Sequence, residues 1–212
     1  AEKLKARLAK VVVGDPAVEG VKMGALASHA QQADVAERVA MLRKSAELVF
    51  GGQADFAPVG KGVEQGAFFQ PTLLLCQKPL QTDSVHDLEA FGPVSTLMPY
   101  DSVADAYAMI RRGDGSLVCS VYSEDPAFTA QASIELASSH GRVHAISPDV
   151  AALHSGHGNV MPMSLHGGPG RAGGGEELGG LRALNFYHRR SAVQGSAVAL
   201  DALATQGVAL PL

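Results

Sequence analysis

Glu89-Ala-Phe-Gly-Pro-Val94 places a carboxylate, an aromatic ring and a Gly-Pro turn directly before the apolar run Ser95-Thr-Leu-Met-Pro-Tyr100. A carboxylate at the entrance of a strand can accept two hydrogen bonds from a diol such as a ribose. A ring two residues later offers an apolar face with a quadrupole, against which a flat heteroaromatic can lie. Glu89 and Phe91 are therefore a candidate ligand-binding pair, weighed against a solvated Glu and a core Phe. A second acidic pair, Glu176-Glu177, follows Gly173-Gly-Gly175 at the start of a short predicted helix at Leu178, where a solvated surface position is the plain alternative. Among His154, His157 and His166, His157 is the candidate to face a substrate or a hydrating water, because imidazole titrates near neutrality. His154-Ser-Gly-His157 also has ligand-like spacing, but no Cys or carboxylate stands close to complete a metal site. A non-catalytic module whose Gly/His-rich loop binds a ligand or metal is the second reading.

Two patterns that resemble chemistry do not carry it. Gly168-Pro-Gly170-Arg-Ala-Gly173 matches G-x-G-x-x-G, yet no buried strand precedes it. The acidic residue needed about 20 positions on is replaced by the basic and aromatic stretch Tyr187 to Arg190. Cys76 and Cys119, the two cysteines of the chain, both sit in apolar strand-like runs. A nucleophilic thiolate wants a cation, a His or a helix amino terminus beside it, and neither run supplies one. Both read as buried inert thiols, and two of them make no disulfide framework.

The elements that must position these residues follow from periodicity. Glu2 to Lys10 reads as the end of a helix, leading into the short strand Val11-Val-Val13 and a Gly14-Asp-Pro16 turn. Ser28-His-Ala-Gln31 is a capping box, and the helix it opens carries Val35, Val39, Leu42, Ala46 and Val49 on one face, with Gly51-Gly52 expected to end it. Phe68 to Cys76 is a strand whose Pro71 end reads as an edge or a bulge. From Val94 the pattern is βαβαβ: strand 94–100, helix Val103 to Arg111, strand Ser116 to Tyr122, a helix opened by Asp125-Pro126 and stopped at Gly141, and strand Arg142 to Ile146. Alternation of this kind predicts parallel strands with right-handed crossovers, so residues 1–150 are expected to form most of one α/β layer structure. Residues 154–180 hold ten Gly and three His without periodicity, and are expected to form a long loop lying over something. Leu184 to Val193 reads as an edge or interface strand, and Ser196 to Gln206 as a short Ala-rich helix.

Composition narrows the function classes. A chain of 212 residues with a net charge of −4 has no dense Lys/Arg stripe to neutralise phosphates, so no nucleic-acid partner is expected. No apolar run approaches the roughly 18 residues that cross a bilayer, and Ala1 opens an amphipathic segment, so neither a membrane partner nor a signal sequence is expected and a cytoplasmic protein is the default.

Val13-Gly-Asp-Pro16, Met23-Gly-Ala-Leu26, Gly51-Gly52, Gly66-Ala-Phe-Phe-Gln-Pro-Thr-Leu-Leu74, Glu89 to Val94 and Glu177-Leu-Gly179 occur in the order seen in aldehyde dehydrogenases. From near residue 1 to about residue 195 the chain resembles the carboxy-terminal part of such an enzyme. The resemblance implies an α/β fold of catalytic-domain-like βαβ layers with a long Gly-rich loop and a carboxy-terminal oligomerisation strand. It divides the chain into a partial catalytic domain (1–182), the strand (183–195), and a terminal helix and tail (196–212). By the same carry-over Glu89 falls on the Glu that binds the ribose next to nicotinamide, Phe91 on the aromatic beside the nicotinamide ring, and Glu177 on the acid of the late Glu-Leu-Gly motif near the catalytic water channel. NADP or NAD is the implied cofactor, and a homo-oligomer the implied assembly.

Where many members have Pro-Phe-Gly-Gly, this chain has Leu165-His-Gly-Gly-Pro-Gly-Arg171. The run from His157 to Gly180 resembles the branch that oxidises coenzyme-A-linked semialdehydes in aerobic benzoate and phenylacetate degradation. The implied chemistry is thiolate attack on the aldehyde, hydride transfer and hydrolysis of the thioacyl group. The dinucleotide-binding domain, the nucleophilic Cys and the general-base Glu of that family are not found in these 212 residues, so the isolated chain is expected to be inactive.

Overall fold

A computed structural model describes residues 1–52, 56–156, 158–159, 161, 164, 166–174, 181, 184, 187–188 and 191–207. The chain forms two compact units, Ala1–Gly115 and Ser116–Leu212.

In the first unit, helix α1 (Glu2–Leu8) leads to bridges of Val13 with Met23 and of Gly14 with Val59. Helix α2 (His29–Leu42) starts at Ser28, whose hydroxyl accepts from the Gln31 N–H at 3.1 Å. Val35, Val39 and Leu42 are buried, as the face predicted. The helix nevertheless stops at Leu42, and Glu47–Phe50 is strand β1, not a last helical turn. Val49 and Phe50 are β-branched and aromatic, and strand β2 (Thr72–Leu75) offers the segment a ladder, so pairing overrides the continuing helical period.

β2 is central, not an edge: β1 pairs with it antiparallel and β3 (Val94–Leu97) pairs with it parallel. Pro71 is accommodated because it lies just outside the ladder. The irregularity falls on β1, between Leu48 and Phe50. Gly51 follows with φ 81°, so close that an added Cβ would lie 2.1 Å from the Pro71 carbonyl oxygen. Only glycine fits both the conformation and the approach.

Leu42, Ala46, Leu74 and Cys76 form the buried cluster of this unit, with Leu48, Val85, Leu88, Ala90, Val94 and Met98 packed against it. Leu74, at 0% exposure, contributes about 1.5–3 kcal/mol by burial. Helix α3 (Ser84–Asp87) precedes β3, and α4 (Val103–Arg112) follows it with a full capping box between Ser102 and Asp105.

The second unit holds β4 (Ser116–Tyr122) and β5 (His140–Ile146), parallel in register, with α5 (Pro126–Ala137) between them in sequence. Asp125 caps α5 by accepting from the N–H groups of Ala127 and Phe128. The predicted alternation is present, but not as one sheet: β3 pairs with β2, and β4 pairs with β5. Gly141 lies inside β5, not at the helix stop, which is at Ser138. A Cβ on Gly141 would sit 1.7 Å from the Gly167 carbonyl oxygen, so the glycine marks where the Gly-rich loop lies on the sheet.

Helix α6 (Ala197–Gly207) follows where it was expected. Among the described residues of the expected strand 184–193, Leu184 and Tyr187 are helical, with the His188 N–H donating to the Leu184 carbonyl at 3.1 Å, and 191–193 carry no regular structure. Among the described residues no other segment of this chain pairs with it, and an edge strand needs a ladder partner to be a strand at all.

Candidate functional site

The turn carrying Glu89 and Phe91 is fixed from both sides of the chain. Leu88, Ala90 and Val94 pack on the buried cluster. In this extended stretch side chains alternate, so Glu89 and Phe91 project outward. Both are exposed, Phe91 by 69%. The sequence alternative of a core Phe is thereby removed. An exposed carboxylate beside an exposed ring leaves both free to meet a diol and a flat ring. The Gly92 N–H donates to the Ala90 carbonyl and the Val94 N–H to the Gly92 carbonyl, each at 2.7 Å, and the Thr72 N–H donates to Pro93 at 2.8 Å.

Gln31 is the residue that sequence reading underestimated. In a capping box its carbonyl would accept from the N-cap amide. Here it accepts instead from the Ala27 N–H, one residue earlier, at 3.0 Å. That leaves its amide nitrogen to donate to the Phe91 carbonyl at 2.6 Å. One side chain thus ties the start of α2 to the candidate site 60 residues away. Gly92 completes the junction: a Cβ there would fall 2.8 and 3.0 Å from the two methyls of the fully buried Val35 on α2. Nothing local in the sequence signals either contact.

A polar clamp holds the segment leading into the turn. Arg112, at the end of α4, donates to the carbonyls of Pro79 (3.1 Å) and Leu80 (2.9 Å) and pairs with the Asp83 carboxylate. The buried His86 donates through Nε2 to the same Pro79 carbonyl at 2.9 Å, which fixes that tautomer.

In the second unit the described residues of the expected loop lie against the sheet. Arg142 donates to the Asn159 carbonyl at 2.9 Å, and the His154 and His144 rings meet edge to face at 5.3 Å. The Gly156 N–H donates to His154 Nδ1 at 3.1 Å, leaving the proton of the neutral ring on Nε2. Gly168 and Gly174 exchange both backbone hydrogen bonds, at 2.9 and 2.7 Å, around the 3₁₀ turn Gly170–Ala172. This closed turn is not the strand-to-helix loop that a dinucleotide phosphate requires. His157, Glu176 and Glu177 lie outside the described residues. Among the described residues no three His, Cys, Asp or Glu side chains are placed to hold a metal.

Cys76 is 1% exposed within the buried cluster. Burial pushes the Cys119 thiol above its ordinary value, against a smaller opposing effect of its backbone hydrogen bond. Desolvation therefore keeps Cys119 protonated at neutral pH.

The fold and the order of motifs now have a family. Residues 1–193 match the aldehyde dehydrogenase family, and the chain belongs to it. It is 52% identical over 169 residues to the 3,4-dehydroadipyl-CoA semialdehyde dehydrogenase of Aromatoleum evansii, covering 80% of this chain and 33% of that protein. It is 43% identical over 187 residues to Protein MaoC of Klebsiella aerogenes, covering 88% of this chain and 54% of that one. Among solved structures, a point mutant of aldehyde dehydrogenase C from Pseudomonas syringae with NAD+ and octanal aligns with a TM-score of 0.60 and 28% identity, over 81% of this chain and 32% of that one. A betaine aldehyde dehydrogenase from Staphylococcus aureus with NAD+ aligns at 0.70 and 21% identity, over 88% and 34%, and shows the shared fold. The chain thus spans between a third and about half of the proteins it resembles. Among the described residues no helix is long and apolar enough to cross a membrane.

Proposed function

We propose that these residues form the cofactor-facing and assembly part of an NAD(P)+-dependent aldehyde dehydrogenase whose substrate is a coenzyme-A-linked semialdehyde. The observation that carries this reading is the 52% identity to the Aromatoleum semialdehyde dehydrogenase over 80% of the chain. The Glu89–Phe91 turn supports the cofactor. Its carboxylate and ring both project outward from a backbone held by Gln31 and Gly92. Glu89 would accept both hydroxyls of the ribose, and Phe91 would lie along the nicotinamide ring. When bound, NAD(P)+ supplies the hydride acceptor, so that aldehyde and water leave as carboxylic acid, reduced nicotinamide and one proton. His157 and Glu177 are proposed to carry that proton away from the hydrolytic water, roles that suit an imidazole and a carboxylate. The nucleophilic thiolate is proposed to come from outside these 212 residues, a reading supported by the burial of Cys76 and the desolvation of Cys119.

Assembly follows from the residues around the expected strand. Leu181, Leu184, Tyr187 and Val193 are 54–85% exposed, an apolar set that we assign to contact with a second subunit.

The test is a spectrophotometric assay for reduced nicotinamide. The 212-residue chain alone is expected to give no turnover with a coenzyme-A-linked semialdehyde and either NAD+ or NADP+. Supplying a polypeptide that carries the dinucleotide domain and the Cys is expected to give turnover, with Glu89→Gln raising KM for the nucleotide. Turnover by the chain alone would show that it already holds a nucleophile. Turnover of the assembled enzyme with simple aldehydes only would refute the coenzyme-A-linked substrate.

A further inference from the structure

A cavity of about 660 Å³ opens in the first unit, lined on one side by α2 and on the other by Gly52, Phe56 and residues of 63–70. Its size is that of a small-molecule site, for which roughly 300–1,000 Å³ is usual. The hollow exists because α2 presents Ala33, Ala36 and Ala40 to it, all exposed. Phe56, Phe68 and Phe69 supply the facing wall. The Phe68 ring is folded against Gly66, where a Cβ would sit 2.2 Å from its Cε2, and Gln32 donates to the Phe68 carbonyl at 2.6 Å. His29 reaches the Gln65 carbonyl at 3.1 Å. The wall is therefore built and held, and the aromatic content suits a flat ring.

The polar groups divide by wall. The segment 63–70 contributes two acceptors, the Glu64 carboxylate and the Gln70 Oε1, which is shielded from solvent and has no hydrogen-bond partner. An orphaned carbonyl of this kind is costly, and rotation of the side-chain amide would offer it to an N–H donor in the cavity. At the C-cap of α2 stands the cation Arg43, fourteen residues after His29, or about 21 Å along the helix axis. An elongated groove with aromatic walls, amide and carboxylate acceptors, and a guanidinium at one end matches a flat ring bearing an exocyclic amine joined to an anionic group.

We propose that this cavity binds an adenine nucleotide, the adenine end of the coenzyme A thioester substrate. The ring would lie against Phe68 and Phe69, its amine would donate to Gln70, and a phosphate would meet Arg43, which is suited to phosphate by its planar fork. This assignment rests on the coenzyme-A-linked substrate proposed above. Nicotinamide dinucleotides share the adenine, so the test has to separate the two sources.

The experiment is isothermal titration of the 212-residue chain with coenzyme A, adenosine 3′,5′-bisphosphate and NADP+, in wild type and in Ala36→Leu, Arg43→Ala and Gln70→Leu. Coenzyme A and the bisphosphate are expected to bind. Arg43→Ala and Gln70→Leu should each weaken them 5-fold or more, and Ala36→Leu, which fills the floor, should abolish binding. Because Ala36 is exposed, its variant is expected to keep the wild-type circular dichroism. If it does not, the Arg43 and Gln70 variants decide. No binding of either coenzyme A or the bisphosphate, binding unchanged in the variants, or preferential binding of NADP+ would each overturn the assignment. None of these results touches the substrate reading, which the turnover assay judges independently.

Discussion

Replacing Gly92 by Ala tests how the candidate site is anchored. The new methyl would lie 2.8 and 3.0 Å from the two methyls of Val35, well inside contact distance. Val35 is 0% exposed on α2 and its β-branched side chain has one favoured rotamer in a helix, so it cannot swing aside. Either α2 or the turn has to move, and overpacking of this kind costs about 1–3 kcal/mol. Val35→Ala alone removes two methyl groups at about 0.8 kcal/mol each and leaves a small cavity, for a total of about 2 kcal/mol. In the double variant the methyl added at position 92 enters the space that Val35 vacates. The combined cost should then fall short of the sum by at least about 1 kcal/mol. Urea unfolding followed by circular dichroism measures all four corners of the cycle, with stability read from midpoints at constant slope. In the assembled enzyme Gly92→Ala should also raise KM for the nucleotide, because the turn displaced is the one that presents Glu89 and Phe91. A Gly92→Ala variant within about 0.5 kcal/mol of wild type, or strict additivity of the two changes, would refute the packing account.

Gly51→Ala is expected to be the more damaging glycine change, since the position combines φ 81° with a 2.1 Å approach to the Pro71 carbonyl; loss of cooperative urea unfolding or a drop above about 3 kcal/mol is the expected readout. Asp125→Ala removes the cap that accepts from Ala127 and Phe128 and should cost about 1 kcal/mol, while Asp125→Asn, which keeps an acceptor, should cost far less. Cys119 should react with iodoacetamide more slowly than a free thiol at pH 8, and its rate should rise with a midpoint above that of a free thiol, because burial raises its pKa. By linkage the same shift leaves stability intact below the unfolded thiol value and lowers it as pH climbs from there through the folded one, and fast labelling at pH 7 would contradict this whole account. Light scattering should show self-association, weakened by Leu184→Glu; a monomer at all concentrations would count against the assembly role.

What was legible in the sequence was local chemistry. Ser28 and Asp125 cap the helices they were expected to open, because capping depends on a side chain and amides two or three residues away. The buried face of α2 was legible through Leu42, since burial on a helix repeats with its period. The order of short motifs was enough to point to the aldehyde dehydrogenase family, to which residues 1–193 belong. Tertiary structure decided what lies far apart in the chain. It ended α2 at Leu42 because β2 offers Glu47–Phe50 a ladder, and it divided the strands between two sheets, since pairing is chosen among distant partners. It moved Phe91 from a core position to an outward one, by packing the half-buried Leu88 and Ala90, on either side of Glu89, against the buried cluster. The bond from Gln31 to the Phe91 carbonyl and the fit of Gly92 against Val35 join residues about 60 positions apart, and no periodicity or propensity encodes a contact of that range.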